Sequence, residues 1–253
     1  MINVIISGIC GKMGQLIKER IKKEQDINCI GGVDVIKQKK DEDIPVVENL
    51  NDIIKDSDIV IDFSVASATM EKIPICVNYR KGMIIGTTGF STDELKQIEE
   101  AGSKIPVLLS FNMSIVTNLM YKLVSEASDV LKDGFDVEII EKHHRYKKDS
   151  PSGTALNIGK IVAKKRGLEP DMAFKIGRKG FDVREKDDIT FHSIRGGTIV
   201  SDHEILFIGD NEILKISHTA FSREIFTDGV IKGIHFLFGK NNGFYTMEDV
   251  LKL

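Results

Sequence analysis

Asn3-Val-Ile-Ile-Ser-Gly-Ile-Cys-Gly-Lys-Met-Gly14 decides the fold. The run from Asn3 to Ser7 has the length and apolarity of a strand, and Met13, Leu16, Ile17 and Ile21 then fall on one face of a helix from about Lys12 to Glu24. Strand, tight turn and helix in that order open a parallel βαβ unit. Glycine suits the turn because a Cβ would block both the bend and the approach of a pyrophosphate to the N–H groups at the helix start. Against the dinucleotide pattern GxGxxG, Cys10 holds the middle glycine position and Met13 the third, so a βα turn without a ligand stays open as the alternative. Asp34, at the end of a second strand from Ile27 to Val33, adds a carboxylate able to accept hydrogen bonds from a ribose.

Outward from this unit, Ile59-Val-Ile-Asp-Phe63, Met83-Ile-Ile85 and Pro106-Val-Leu-Leu109 read as further strands, each near-continuously apolar as a strand covered on both faces must be. A helix between the last two opens at Ser91 with Glu94 placed for a capping box. Gly86-Thr-Thr-Gly-Phe90 and Ser110-Phe-Asn-Met-Ser114 leave their strands at the same carboxyl edge, where ligands of open α/β sheets sit; helix-leading loops are the plain alternative. From Ser114 to Leu131 apolar residues recur at i, i+3 and i+4, which predicts a longer helix with one apolar face. After Phe135 the period becomes two and persists through Ile189 to Arg195, Thr198 to Ile208 and Glu212 to Ala220, with Gly209-Asp-Asn211 as a hairpin turn. A helix from Ser152 to Arg166 with Gly167 as its C-cap interrupts these strands, and Arg223 to Phe238 reads as a final helix returning to the first domain. The expectation is an α/β protein: an N-terminal Rossmann-like dinucleotide-binding domain, 1–114 completed by 223–253, and a second α+β substrate-binding and oligomerisation domain, 115–222.

The 253 residues are 42% hydrophobic and 29% charged, an ordinary globular composition. Thirty-five Lys and Arg against 38 Asp and Glu leave a net charge of −3, so no global field attracts nucleic acid or anionic lipid. No apolar run is long enough to span a membrane and the first ten residues lack a basic leader, which points to the cytoplasm. Three widely spaced cysteines without a CxxC pair offer neither a disulfide framework nor a zinc site.

Glu141-Lys-His-His-Arg-Tyr-Lys-Lys-Asp-Ser-Pro-Ser-Gly-Thr-Ala155 is the densest chemistry in the chain. Its excess of cations suits a small anion. Ser150 can cap a helix with Pro151 at the first position, which would turn the N–H groups of Ser152, Gly153 and Thr154 toward a carboxylate. Glycine costs a helix about 1 kcal/mol relative to alanine, and its use there makes sense if something approaches the backbone closely. On the preceding strand Phe135, Val137, Ile139, Glu141 and His143 share one face while Lys142 and His144 take the other, giving the two histidines different tasks unless the strand has already ended. Adjacent histidines lack metal-ligand spacing, so no metal is expected.

These residues, with Ile61-Asp-Phe-Ser64, Ser193-Ile-Arg-Gly-Gly197 and Ser217-His-Thr-Ala-Phe-Ser-Arg223, resemble the dihydrodipicolinate reductases (4-hydroxy-tetrahydrodipicolinate reductase) of the diaminopimelate route to lysine, nearly end to end. The resemblance implies NAD(P)H-dependent reduction of a small cyclic imine carrying two carboxylates. It makes His143 the catalytic acid and Lys147 the second catalytic residue, and His144 with Ser152, Gly153 and Thr154 the substrate-binding set. Gly8, Ile9, Cys10, Gly11, Lys12, Met13, Asp34, Gly86, Thr87, Thr88, Ser110, Phe111, Asn112 and Met113 would surround the nucleotide. A homotetramer built through the second domain's sheet is typical of the family. Ser201, where glycine is common, and Ile115-Val-Thr117 depart from the family pattern. A free ribose 2′-hydroxyl can donate to Asp34, whereas a 2′-phosphate there meets no arginine and only Lys37, Lys39 and Lys40 nearby, so NADH should serve at least as well as NADPH. The rival class is a nonenzymatic dinucleotide sensor, which would have no use for the histidine block.

Overall fold

The computed structural model describes residues 1–35, 44–181 and 183–253. Strands joined by crossover helices come first: β1 (Ile2–Ser7), α1 (Lys12–Ile21), β2 (Ile27–Val33), β3 (Val46–Val47), β4 (Ile59–Asp62), α2 (Ala66–Tyr79), β5 (Gly82–Ile85), α3 (Thr92–Gly102) and β6 (Pro106–Leu109). Then follow α4 (Ile115–Val130), β7 (Asp136–His143), α5 (Gly153–Arg166), α6 (Pro170–Ala173), β8 (Phe174–Ile176), β9 (Ile189–Arg195), β10 (Ser201–Ile208) and β11 (Ile213–Ala220). The chain closes with α7 (Ile225–Leu237), β12 (Gly243–Tyr245) and α8 (Met247–Leu251). Two compact units result, Met1–Ile115 with Glu224–Leu253, and Val116–Arg223.

In the first unit the strand order is β12-β6-β5-β4-β1-β2-β3 and every pairing is parallel. The chain runs outward from β1 to β3 and returns on the other side of β1 at β4, so the carboxyl ends of β1 and β4 flank a topological switch point. Side chains alternate between two cores. Val4, Ile6, Ile61, Ile84 and Leu108 pack with Ile17 of α1 and Val230, Ile234 and Leu237 of α7, while Ile5, Val60, Met83 and Val107 pack with Ile73 of α2 and Ile98 of α3. Each such fully buried aliphatic side chain contributes roughly 2 kcal/mol of transfer free energy, which explains why these strands carry almost no polar residue. The capping box at Ser91 and Glu94 forms as the sequence predicts. The short strands β3 and β12 have no counterpart in the sequence reading, because two or three residues are too few to show a period.

The second unit is a mixed five-stranded sheet in the order β11-β10-β7-β9-β8, with β10 antiparallel to both neighbours and β7, β9 and β8 running parallel. Val137, Ile139, Ile189, Phe191, Ile205 and Phe207 face Met120 and Val124 of α4 and Ile158 and Val162 of α5. Gly209 N–H bonds Glu212 O at 2.9 Å to close the turn between β10 and β11. Two expectations need correction. The helix after Ser114 forms, but it buries Thr117, Met120, Val124 and Ser128, leaving Val116, Leu119, Leu123 and Val130 exposed. And α5 is capped by Ser152, whose Oγ accepts from Ala155 N–H at 3.2 Å, rather than by Ser150; the Ser150-Pro151 peptide is cis and both residues precede the helix.

Candidate active site

β7 places Glu141 and His143 two residues apart on its buried face, and the second unit's polar site grows from that pair. A carboxylate on a core-facing strand position demands partners. Glu141 is fully buried and has them: Arg195 NH1 lies 2.8 Å from Oε2 and NH2 2.6 Å from Oε1, a bidentate pair reaching across from the end of β9. Ser152 N–H donates to Oε1 at 3.2 Å, and His143 Nδ1 stands 2.5 Å from Oε2. Burial pushes the Glu141 carboxyl up, but Arg195 and His143 outweigh it and hold the group below the ordinary carboxylate range. A carboxylate only accepts, so His143 carries its proton on Nδ1 toward Glu141 and leaves Nε2 as the atom through which a second proton can pass.

Around this dyad the imidazoles are kept neutral. Burial lowers the His143 pKa below the usual histidine value despite Glu141, with Lys147 and Arg195 adding to the lowering. His203 of β10 meets His143 edge to face, ring centroids 5.3 Å apart, and burial together with His143 pushes it down to about 4. Both of its nitrogens are engaged, Nε2 with Ser152 Oγ at 3.0 Å and Nδ1 with Ser201 Oγ at 3.3 Å. The serine at 201 thus has a local use, buttressing a ring that packs on His143.

The other sequence-named residues of this unit divide by task. Ser152 is spent on the fold, its N–H on Glu141 and its hydroxyl on the α5 cap and His203. Gly153 opens α5 and is exposed, and nothing lies within 4 Å of where a Cβ would stand. Thr154 is the next helical residue, with no acidic side chain in that turn. His144 follows the strand, and its buried Nδ1 has no hydrogen-bond partner among the described residues. Lys147 pairs with Asp149 at 2.8 Å. Glu141, Arg195 and His203 were not among the residues singled out by sequence. The buried phase of Glu141 on β7 was a signal; its partner Arg195, 54 positions away, and His203, which packs on His143 from β10, were not.

At the carboxyl edge of the first unit the loop Gly8 to Gly11 leads into α1, whose first turn carries no acidic residue. Gly8 has φ +77°, and a Cβ on Gly14 would stand 2.3 Å from Gly8 O, so helix and loop touch through glycine. The essential spacing is therefore Gly8-x-x-Gly11-x-x-Gly14, offset from the pattern with which the sequence was compared. Cys10 N–H donates to Asp34 Oδ2 at 2.9 Å, tying this loop to the end of β2. Ile9 and Met113 bury their side chains in the core and can serve a ligand only through backbone. Thr87 is buried with its hydroxyl on Asp62, whereas Thr88, Lys12 and Phe111 are exposed. Ser110 and Asn112 build the turn after β6, Ser110 Oγ donating to Asn112 O at 2.8 Å and Asn112 Oδ1 accepting from Ser114 N–H at 2.9 Å. A glycine cradle, an acid-free helix start and a carboxylate at the end of β2 fit a dinucleotide. Lys37, Lys39 and Lys40 lie outside the described residues.

Comparison with known proteins agrees. Residues 2–113 match the family model for the N-terminus of dihydrodipicolinate reductase and residues 116–251 that for its C-terminus. A 4-hydroxy-tetrahydrodipicolinate reductase of Clostridium novyi (strain NT) is 40% identical over 254 residues, covering 100% of this chain and 99% of its own. One from Caldanaerobacter subterraneus subsp. tengcongensis is 42% identical, with 100% and 99% coverage. Among solved structures, the dipicolinate-bound dihydrodipicolinate reductase of Paenisporosarcina sp. TG-14 superposes with a TM-score of 0.82 at 26% identity, over 97% of each chain.

Proposed function

The chain belongs to the dihydrodipicolinate reductase family, and on that basis we infer that it reduces dihydrodipicolinate, formed from 4-hydroxy-tetrahydrodipicolinate, to tetrahydrodipicolinate on the diaminopimelate route to lysine. It is an oxidoreductase that takes a nicotinamide dinucleotide and acts on a dicarboxylate. The observation that carries the mechanism is the buried Glu141–His143 contact, joined through Ser152 N–H to the start of α5.

When bound, the reduced nicotinamide supplies a hydride to C4 of the cyclic imine. Electrons shift to the ring nitrogen and C3 must gain a proton, which His143 delivers from Nε2 while Glu141 holds the other side of the ring. Two substrate carboxylates near a neutral imidazole raise its pKa, so protonation of His143 is linked to substrate binding. His144 and the backbone N–H groups of Gly153 and Thr154 receive a carboxylate at the helix start. Lys147 exchanges Asp149 for the dianion and its charge makes the ring a better hydride acceptor. Lys147→Ala is accordingly expected to raise the substrate KM as well as lower kcat, and a defect confined to nucleotide affinity would contradict that role. The reaction itself is tested by NADH oxidation with freshly generated substrate; inertness toward it under conditions where the protein is folded would end the assignment.

Cofactor choice follows from Asp34. With Oδ2 already accepting from Cys10 N–H, its carboxylate stands at the loop where a 2′-hydroxyl donor is welcome and a 2′-phosphate is repelled. NADH is expected to be used at least as well as NADPH, and NADPH activity to fall faster with added salt. A preference for NADPH of about tenfold or more at physiological salt would refute this.

The sheet face of the second unit opposite α4 and α5 carries Ile140 and Leu206, half-buried, and Ile194 and Ile213, exposed. At its edge β11 has one unpaired side. These aliphatic side chains lie among Glu138, His192, Lys142 and Glu204 on the same face, and a homotetramer formed through this sheet is the expected state. Light scattering that returns the mass of a single chain at micromolar concentration would exclude it.

A further inference from the structure

No step of the reaction uses Ile61-Asp-Phe-Ser64, although this segment stands between the two glycine loops of the first unit. Asp62 is wholly buried at the carboxyl end of β4. Four hydroxyls donate to it: Ser7, at the end of β1, and Ser64 to Oδ1, and Thr69 of α2 and Thr87 of the loop after β5 to Oδ2, the Ser64 contact measuring 2.8 Å and the Thr87 contact 2.7 Å. Lys72 Nζ supplies a positive charge 3.8 Å from Oδ1. Four donors match the four lone-pair positions of a carboxylate. Phe63 adds a steric lock, since a Cβ on Gly8 would stand 2.4 Å from Phe63 O and one on Gly86 would stand 2.2 Å from the Phe63 ring. Ser64 N–H donates to Thr87 Oγ1 at 3.0 Å, closing the circuit between the loops.

Stability alone does not call for such a cluster. A buried charged group with its partners is commonly no better for folding than apolar side chains of the same volume, and the apolar cores on both sides of this sheet are continuous. What the cluster does fix is geometry at the ligand edge. We propose that Asp62 is a positioning residue for the nicotinamide dinucleotide: through Ser7 it sets where β1 turns into Gly8, and through Thr87 it sets Gly86-Thr-Thr88, so that both loops meet the ligand at one spacing. The proposal rests on the dinucleotide reading of this edge.

The test is NADH affinity, read from the fluorescence of the nucleotide, with thermal unfolding measured in parallel. Asp62→Asn keeps the shape but replaces one acceptor oxygen by a donor, and is expected to weaken NADH by about tenfold or more while the substrate KM at saturating NADH hardly changes. Thr87→Val should weaken NADH similarly, and the double variant should be little worse than either single one, because both changes act along one path. Thr69→Val removes a donor on the α2 side and should lower Tm without weakening NADH. Unchanged NADH affinity in Asp62→Asn, additive losses in the double variant, or equal weakening by Thr69→Val would each overturn the proposal. Should Asp62→Asn fail to fold, Ser7→Ala and Thr87→Val against Thr69→Val make the same comparison. A wild-type protein that bound neither NADH nor NADPH would overturn the dinucleotide reading and the proposal with it; wild-type binding with an unaffected Asp62→Asn overturns the proposal alone.

Discussion

His143→Ala is expected to lower kcat by about 10²-fold or more while leaving the Kd for NADH unchanged, because it removes proton delivery by a residue of the second unit, whereas the glycine loops belong to the first. The pH dependence should carry the same signature. The working form is the imidazolium, so activity falls as pH rises through the His143 pKa. In the ligand-free protein burial holds that pKa below the usual value, and kcat/KM, which reports the free enzyme, should begin to fall below about pH 6.5. In the substrate complex the dianion raises the pKa, and kcat should hold to higher pH before it falls. A kcat limb lying at lower pH than the kcat/KM limb, or a near-normal kcat in His143→Ala, would remove His143 from the role.

How much of this was legible beforehand depended on how local the physics was. The opening strand, loop and helix could be read because each is fixed by neighbours within a dozen residues, as could the capping box at Ser91 and the Gly167 C-cap of α5. The β7 phase put His143 on the buried face with Glu141, but β7 ends at His143, so strand alternation does not place His144. What escaped was long-range. Glu141 is held by an arginine on another strand, and no short window shows that. Gly14 stood at the end of the glycine run, but that it packs against Gly8 O only the fold shows. Periodicity found α4 but drew its apolar stripe too wide: Met120 and Val124 are buried, whereas Val116, Leu119, Leu123 and Val130, equally regular in spacing, are exposed. The cap of α5 was misplaced by two residues because Ser150 and Ser152 are equally good caps by chemistry and only the fold chooses between them.

Glu141→Gln should separate the two jobs of the buried carboxylate. At pH 7 it leaves the largely buried Arg195 guanidinium without its charge partner, which costs about 3 kcal/mol or more of stability. The sign with pH is fixed by the direction of the shift. Glu141 is held below the ordinary carboxylate range in the fold, so its contribution is complete above the unfolded value of about 4.5 and is lost as pH falls through the folded one. The stability gap between wild type and variant should therefore be full at neutral pH and close in acid. His203 acts in another window and in both proteins. Its folded pKa of about 4 against an unfolded value near 6.5 gives stabilisation that is present above pH 6.5 and declines as pH falls toward 4. Catalysis should move too. Without the carboxylate nothing opposes the burial that lowers His143, so the alkaline limb of kcat/KM shifts to still lower pH and part of the lost activity returns on mild acidification. A limb that moved to higher pH, or a stability gap that widened in acid, would show that Glu141 neither raises the His143 pKa nor serves as the buried partner of Arg195.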